Sequence, residues 1–330
     1  MWSKWDRVMA VFNGERPDRV PLFECMANDP VLEYWGGQPI PEGDVEGVVR
    51  ACREGLDLCH PALVPQAPGR IEQADGTVQV RERWNTWTLP AQFTDDLARR
   101  RAIGDQIESA EAWDASAQRW DDAQARMATI NQSAGEMVYI HLGLSCPILP
   151  FDLEQGIYAY TDYPELVGRW NQALNEKNLR DVEAQCQMPV GPVAIIWDDI
   201  AYKERLMNPP ELLEKFFYPH LTRVIDLLHA RHIKVLFHSD GDVSRALDDL
   251  VDCGIDGFNP LEISAGMNPT DFAGRYPRTV LVGGIDAVEV LARGTPDLVA
   301  KRTRELIDLF RPTGNLVVAS ASGEIGRAHV

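Results

Sequence analysis

Short apolar runs alternate with amphipathic segments along most of the chain. Runs such as VAII, VLF and VLV are continuously apolar, which is typical of parallel strands buried on both faces. Between such runs, residues 163–185 and 297–312 repeat apolar positions at helical spacing. Many strand–helix units in succession, without the GxGxxG turn of a dinucleotide-binding fold, favour a closed (β/α)8 TIM barrel. A doubly wound open sheet is the alternative.

Three stretches depart from this rhythm. A first helix is expected over residues 3–13, ending before Gly14, as an N-terminal helical extension in front of the barrel. Residues 77–89, TVQVRERWNTWTL, alternate in polarity and are rich in Val, Thr and Trp, which predicts a β-hairpin excursion. Residues 109–127 are rich in Ala, Glu and Gln and predict one helix. We expect a single barrel domain over residues 1–323.

The end of the chain has an unusual sequence. Residues 324–330 read EIGRAHV, which is the in-frame translation of a widely used sequencing-adaptor sequence. We therefore expect this tail to be non-native and the natural chain to continue beyond Gly323, and we exclude the tail from the fold prediction. The alternative is a genuine short tail.

Composition and charge narrow the classes of function. The chain has 330 residues, of which 45% are hydrophobic and 25% charged, which predicts a globular protein. Its formal net charge of -18 disfavours a nucleic-acid partner, because a phosphate backbone would be repelled. No apolar stretch approaches the ~18 residues of a membrane span, and the first residues lack the apolar core of a signal peptide. The six cysteines form no CxxC pair, so we expect reduced thiols and a cytoplasmic location.

Polar residues collect where the predicted strands end. In a (β/α)8 barrel the C-terminal ends of the strands form the functional face, so these residues are the candidates for chemistry. The candidate catalytic residues are Asp198, Asp199, His238, Asp240 and Glu262. The candidates for binding a substrate or cofactor are Glu24, Asp29, Trp197, Asn259, Gly283, Gly284, Asp286 and Ser320, with His141 or Ser145 from the third strand.

Several of these residues also have a structural interpretation. An aspartate after a strand often caps the next helix, which suits Asp242 and Asp286. Gly283 and Gly284 would ease close strand packing, or would let a large flat ligand approach the backbone. His238 is followed two residues later by an acid and shares the predicted rim with other carboxylates, which favours chemistry over a structural role.

Six short segments of the sequence, taken together, resemble those of a known family. They are GERPDRVPL, WDDIAYKERLMNPP, VLFHSDGDV, CGIDGFNPLE, AGMNP and VGGIDAVEVLARGTPDLV. As a set they resemble the uroporphyrinogen decarboxylase superfamily, and more closely its methylcobalamin-dependent methyltransferase-like branch. The resemblance spans nearly the whole chain and is weakest between about residues 65 and 133. It implies a (β/α)8 barrel, in agreement with the apolar pattern.

The resemblance implies different chemistry for the different branches. The decarboxylases hold a tetrapyrrole with an Arg-rich loop after the first strand, where this chain has ECMANDPVLEYWGG. The methyltransferases to coenzyme M bind zinc through His-x-Cys and a later Cys, and the zinc makes a thiol into a thiolate. His238 matches that histidine, whereas Asp240 replaces the first cysteine and Ala321 lies near the second. The resemblance thus implies a harder site, in which His238, Asp240 and Glu262 could hold zinc or another divalent ion.

The leading hypothesis is a corrinoid-linked methyltransferase. A methyl group would pass between a methylated substrate, or a thiol or folate acceptor, and methylcobalamin on a separate corrinoid protein. His238 and Asp240 would bind the metal or activate the acceptor. Asp198 and Asp199 would donate a proton or orient the substrate, because neighbouring carboxylates push their pKa values apart. The alternatives are a decarboxylase or lyase acting on a tetrapyrrole or small polycarboxylate, and a non-catalytic protein that binds a tetrapyrrole or a partner. Such a barrel is also compatible with a homo-oligomer.

Overall fold

Eight positions around a ring are occupied by parallel strands in the computed structural model, which describes residues 2–60, 63–73, 76–90, 93, 95–115 and 120–321. The strands are β1 (Phe23–Glu24), β2 (Leu58–Cys59), β3 (Gly69–Glu72), β4 (Val78–Arg81), β5 (Thr86–Leu89), β6 (Val138–Tyr139), β7 (Gly143–Leu144), β8 (Val193–Trp197), β9 (Ala201–Tyr202), β10 (Arg205–Leu206), β11 (Lys234–His238), β12 (Gly257–Asn259), β13 (Val280–Ile285) and β14 (Leu316–Ser320). The helices are α1 (Lys4–Phe12), α2 (Asp29–Gly36), α3 (Val45–Gly55), α4 (Asp96–Glu111), α5 (Asp121–Ala134), α6 (Leu153–Asp162), α7 (Pro164–Gln185), α8 (Pro210–Phe216), α9 (Tyr218–His229), α10 (Leu247–Asp252), α11 (Pro269–Arg275) and α12 (Pro296–Phe310). None of the helices in the described part is both long enough and apolar enough to cross a membrane. The suspected tail, residues 324–330, lies outside the described residues.

Hydrogen bonding between neighbouring strands can be followed all the way around the ring. β1 pairs with β2 and β2 with β6, both in parallel. β6 and β7 belong to one stretch, residues 138–144, and β7 pairs with β8. The order continues through β11, β12 and β13 to β14, and a parallel bridge between Leu22 and Val318 returns it to β1. The predicted (β/α)8 barrel is confirmed, and the open sheet is excluded.

The two faces of the strands fill different cores. Alternate residues of β8, such as Val193 and Ile195, lie in an inner cluster with Leu236, Val280 and Val317. The intervening residues of the same strands lie in an outer cluster with the helices. The predicted N-terminal helix is α1, which adds apolar side chains to the inner cluster. The barrel is therefore a packed core, and chemistry is confined to its ends.

The excursion from the barrel contains more than the predicted hairpin. The hairpin over residues 77–89 is confirmed as β4 and β5, and β3 adds a third antiparallel strand. The single helix predicted over residues 109–127 is wrong, because α4 and α5 are separate helices. Between them, the indole N–H of Trp113 donates a hydrogen bond of 2.6 Å to Asp181 on α7. Such a tertiary contact leaves no trace in local helix propensity.

Candidate functional site

One histidine and two aspartates meet at the C-terminal mouth of the barrel. His238 is the last residue of β11, Asp199 follows β8, and Asp240 follows His238 by two residues. His238 Nε2 lies 3.9 Å from Asp199 Oδ1 and 4.0 Å from Asp240 Oδ1. One ligand atom from each residue lies within 4.8 Å of the others. These separations are too long for hydrogen bonds, and small side-chain movements would bring the three atoms to the distance of about 2.0–2.2 Å at which ligands surround one divalent ion.

Asn259 orients the ring of His238. The amide of Asn259, at the end of β12, donates from Nδ2 to the carbonyl oxygen of Val282 at 2.7 Å, which leaves its Oδ1 as an acceptor. His238 Nδ1 lies 2.6 Å from that oxygen. Nδ1 therefore carries a proton, and the lone pair available to a metal is the one on Nε2, on the side of Asp199 and Asp240. Metal-binding histidines are commonly held in this way by an outer partner.

The loop after β11 is shaped by hydrogen bonds from its backbone to two carboxylates. The N–H of Asp240 donates to Asp199 Oδ1 at 2.9 Å, and the N–H of Gly241 donates to Glu262 Oε2 at 2.8 Å. Gly241 has a φ of +79°, and a Cβ there would lie 2.8 Å from the backbone of Ala201. Only glycine fits this position. Glu262 thus supports the loop and stands outside the three-residue cluster.

Asp198 makes its hydrogen bonds away from this cluster, towards the segment that follows β7. Its Oδ1 accepts from the Ser145 hydroxyl at 2.5 Å, and its Oδ2 accepts from the Cys146 N–H at 2.8 Å. Burial is the main cause that raises the pKa of Asp198, to about 7; the two hydrogen bonds oppose this, and the charge of Asp199 adds to it. Of the two candidates from the third strand, His141 and Ser145, Ser145 is therefore the one that contacts a predicted site residue.

Trp197 forms an aromatic wall beside the cluster. Its ring packs on His238 with centroids 4.3 Å apart, and the ring of His60 meets it edge-on at 5.3 Å. His60 is not among the residues predicted from sequence, although it directly follows β2 and so lies at a strand end, as His238 does. The packing of Trp197 on one face restricts how the imidazole of His238 can rotate.

Two cavities adjoin the site. One of about 210 Å³ is lined by Trp197, Asp198 and Asp199, together with residues of the loops before α6 and α8. Another of about 830 Å³ lies between β5, α4 and α7. Phe151 and Asp152 line both. The smaller cavity is the one in contact with the candidate catalytic side chains.

Glu24 and Ser320 bind each other across the seam between β1 and β14. The Ser320 hydroxyl donates to Glu24 Oε1 at 2.8 Å, and its N–H donates to Oε2 at 3.1 Å. The N–H of Cys25 also donates to Oε1, at 3.0 Å. Burial raises the pKa of Glu24 from its ordinary value of 4.5 to about 6, against the effect of these hydrogen bonds. Both residues lie at the mouth but contribute to the closure of the ring.

The raised pKa of Glu24 predicts a pH-dependent contribution to stability. Because the folded state binds this proton more tightly than the unfolded chain, the contribution is complete below about pH 4.5 and is lost as the pH rises through about 6. This loss amounts to about 2 kcal/mol of unfolding free energy. We expect the unfolding free energy of the wild-type protein to fall by about 2 kcal/mol more than that of a Glu24→Gln variant between about pH 4.5 and about pH 7.5, as measured by urea titrations at the two pH values. A difference between the two proteins that stays constant with pH would contradict this prediction.

The paired glycines are required by close packing within the barrel. A Cβ on Gly283, whose φ is +151°, would overlap the carbonyl oxygen of Pro260. A Cβ on Gly284 would lie 2.8 Å from the side chain of Leu306 on α12. Of the two interpretations of this pair, the structure supports strand packing.

Three other candidates contact parts of the protein away from the cluster. Asp286 accepts hydrogen bonds from two backbone N–H groups and caps a π-helical turn after β13, which is the capping interpretation. Asp29 binds Arg83 through both carboxylate oxygens and so ties the hairpin to α2. His141 Nε2 lies 2.7 Å from Asn131 Oδ1 on α5. None of these described side chains belongs to the group formed by Asp199, His238 and Asp240.

Known proteins have sequences similar to parts of this chain. The family model described as uroporphyrinogen decarboxylase matches residues 157–325. Methylcobamide:CoM methyltransferase MtbA of Methanosarcina acetivorans is 21% identical over 145 residues, which are 44% of this chain and 41% of that protein. The same enzyme of Methanosarcina mazei is 21% identical over 131 residues, 40% of this chain and 37% of that protein. The chain therefore matches less than half the length of either relative.

A solved structure shares the fold. The methyltransferase from Methanosarcina mazei superposes with a TM-score of 0.67, over 98% of this chain and 94% of that one. The two sequences are 17% identical. At that identity the likeness establishes a common barrel architecture and leaves the chemistry to the site residues.

Proposed function

Because the chain belongs to the uroporphyrinogen decarboxylase family, we propose that it is a corrinoid-linked methyltransferase acting at the C-terminal mouth of its barrel. Two relatives are methylcobamide:CoM methyltransferases, which supports a methylcobamide on a separate corrinoid protein as the partner. A methyl group would pass between this partner and a small-molecule substrate. The observation that carries the proposal is the convergence of Asp199, His238 and Asp240 on one point.

The residues of this cluster fit a divalent ion with hard ligands. His238 Nε2 and two carboxylate oxygens face one another, and the described group contains no thiolate. Such a donor set suits zinc, iron or manganese better than a soft ion. Ala321, near the place of the second cysteine in the coenzyme M methyltransferases, is buried and offers no ligand atom. When bound, the ion would lower the pKa of a coordinated thiol or water and so supply a nucleophile.

The remaining side chains would orient the reactants. Asn259 holds the His238 lone pair towards the two aspartates, and Trp197 covers one face of that ring. Asp198 is held by hydrogen bonds at the wall of the small cavity, where it would orient the substrate. A positioned histidine and a carboxyl group held at the cavity wall are the means by which such a site would bring two reactants together.

The direct test is a spectroscopic assay of methyl transfer. Purified protein is mixed with methylcobalamin, or with a methylated corrinoid protein, and with candidate thiols, folates or amines, after its metal content is measured. We expect loss of the methyl–cobalt absorbance with at least one acceptor, and a bound divalent ion. No demethylation with any acceptor would contradict the proposal. Release of carbon dioxide from a porphyrinogen would instead support the decarboxylase alternative.

The Asn259→Leu variant tests whether His238 is held for metal binding. Without the acceptor for Nδ1, the ring can turn, and we expect affinity for a divalent ion to fall by about 10- to 100-fold. The matched control is Asn315→Leu: Asn315 is also buried, but its amide donates to backbone carbonyls at the opposite end of the barrel. This control should lose thermal stability and keep its metal affinity, measured by competition with a coloured chelator. Equal metal affinity in both variants would count against the role of Asn259.

A further inference from the structure

The cavity of about 210 Å³ beside the cluster has an acidic lining. Asp152, Asp198 and Asp199 contribute three carboxylates, and none of the described lining residues is lysine, arginine or histidine. In the described part of the chain, none of the three has a lysine or arginine within 4.0 Å. Asp152 and Asp198 also stand outside the group around His238. The electrostatic potential of this pocket therefore favours a cationic ligand over an anionic one.

Asn208 adds an independent indication of a ligand. It lies in the loop between β10 and α8, lines the same cavity, and is only 6% exposed. Its carbonyl oxygen Oδ1 is buried and has no hydrogen-bond partner. Buried amide oxygens in native proteins are nearly always satisfied, so this acceptor calls for a donor that the described chain does not supply. The missing donor is an N–H or O–H of whatever occupies the cavity.

The carboxylates of the lining are held in place by the protein itself. Asp152 accepts from the N–H of Gln155 and caps α6, and Asp198 accepts from Ser145 and Cys146. These hydrogen bonds come from neutral groups, so they orient the side chains without placing a positive charge beside them. The indole of Trp197 lies in the same lining and offers a face on which a small cation can rest.

We propose that this cavity binds a small protonated aliphatic amine that has at least one N–H, and that Asn208 accepts a hydrogen bond from it. The inference rests on the proposed function, in which this ammonium would be the methyl donor: its C–N bond would break, the electron pair would stay on the nitrogen of the departing neutral amine, and the methyl group would pass to the corrinoid partner. The volume of the cavity, about 210 Å³, corresponds to about seven water molecules and limits the ligand to a short amine with small substituents. An anionic ligand is disfavoured by Asp152 and Asp198, the two acids of the lining that lie outside the proposed metal ligands, and a quaternary ammonium has no N–H for Asn208.

Calorimetric titration of the purified full chain tests this ligand class. The probes are trimethylammonium, tetramethylammonium, neutral tert-butanol and anionic 2-mercaptoethanesulfonate, each dissolved in the buffer used for the protein. We expect trimethylammonium to bind at least about tenfold more tightly than any of the others, the difference that one hydrogen bond to a buried acceptor makes. The Asn208→Leu variant should lose this tenfold preference over tetramethylammonium, whereas Asn208→Asp, which keeps an acceptor, should retain it. Gln172→Leu, on the exposed face of α7, is the control and should bind as wild type does.

Several results would overturn the inference. They are equal or tighter binding of the neutral or anionic probe, no binding of trimethylammonium, or a preference that survives Asn208→Leu. If Asn208→Leu fails to fold, the binding of the four probes to wild type and to Asn208→Asp still tests the inference. If an anionic thiol, and no amine, demethylates methylcobalamin, the inference about the amine is wrong and the proposed function still holds. If the protein binds the amine selectively but transfers no methyl group, the inference about the ligand holds and the proposed function is wrong.

Discussion

Replacing His238 by alanine is expected to lower the rate of methyl transfer by at least about 100-fold. His238 supplies the one imidazole of the cluster, and its loss leaves two carboxylates that are 3.9 Å and 4.0 Å from the former position of Nε2. Two oxygen ligands hold a divalent ion less tightly than three mixed ligands, so bound metal should fall together with the rate. The measurement is the initial rate of methylcobalamin demethylation, with metal content determined on the same samples.

His229→Ala is the matched control for this variant. His229 ends α9, is half-exposed, and binds Asp256 at the opposite end of the barrel. It should keep the wild-type rate. His238→Ala leaves Asn259 Oδ1 without its partner, so we expect a loss of about 1–3 kcal/mol in unfolding free energy, which a folded barrel tolerates. Binding of the corrinoid partner should survive. A His238→Ala protein that transfers methyl groups at the wild-type rate would show that the cluster is not the reaction centre.

The barrel could be predicted from sequence because its strands are buried on both faces. Continuous apolar runs such as those of β8, β11 and β13 have few structural alternatives when helices alternate with them. β1, β2 and β6 are only two residues long, so their bounds could not be read from a pattern. The ring closes at the bridge between Leu22 and Val318, residues far apart in sequence. Such a contact is a property of the whole fold.

Strand-end position placed Asp199, His238 and Asp240 at one rim together with Asp198 and Glu262, because parallel strands bring their C-terminal ends to the same end of the barrel. It did not show which of these acids would lie next to His238, and the resemblance suggested Asp240 and Glu262 for the metal. The strand register then aligns Trp197 with His238 and His238 with Asn259 across three neighbouring strands. This register decides that Asn259 orients the imidazole, and register cannot be read from one strand alone.

Residues whose role depends on a distant contact were missed or placed differently. Asn208 lies in a loop, and its burial against the small cavity has no local signature. Asp29 follows the first strand as a site residue would, yet the hairpin brings Arg83 to it. Asp286 and Glu262 are strand-end acids that bind backbone N–H groups. Acids that cap or brace a loop and acids that act on a substrate have the same sequence position, and only their hydrogen-bond partners distinguish them.

Asp57, another residue that sequence reasoning missed, should give the largest loss of stability when it is replaced. Its side chain is fully buried at the N-terminal end of the barrel, where it accepts hydrogen bonds from Arg7 at 2.9 Å and from Arg19 at 2.8 Å. It also accepts from the N–H of Leu22, the residue that closes the ring. Asp57→Ala leaves a buried guanidinium with one partner fewer and an unsatisfied N–H. We expect the free energy of unfolding to fall by about 3–5 kcal/mol in urea titrations.

Two further variants separate burial from charge pairing in this network. Arg19 is half-exposed, so Arg19→Ala leaves Asp57 compensated by buried Arg7, and we expect a smaller loss of about 1–3 kcal/mol. Asp308→Ala removes an exposed pair with Arg311 on α12 and should change stability by less than about 0.5 kcal/mol. If Asp57→Ala is too unstable to titrate, the Arg19→Ala result still tests the network. Equal small effects in all three variants would mean that these hydrogen bonds do not stabilise the closure of the barrel, and that its apolar core alone maintains the ring.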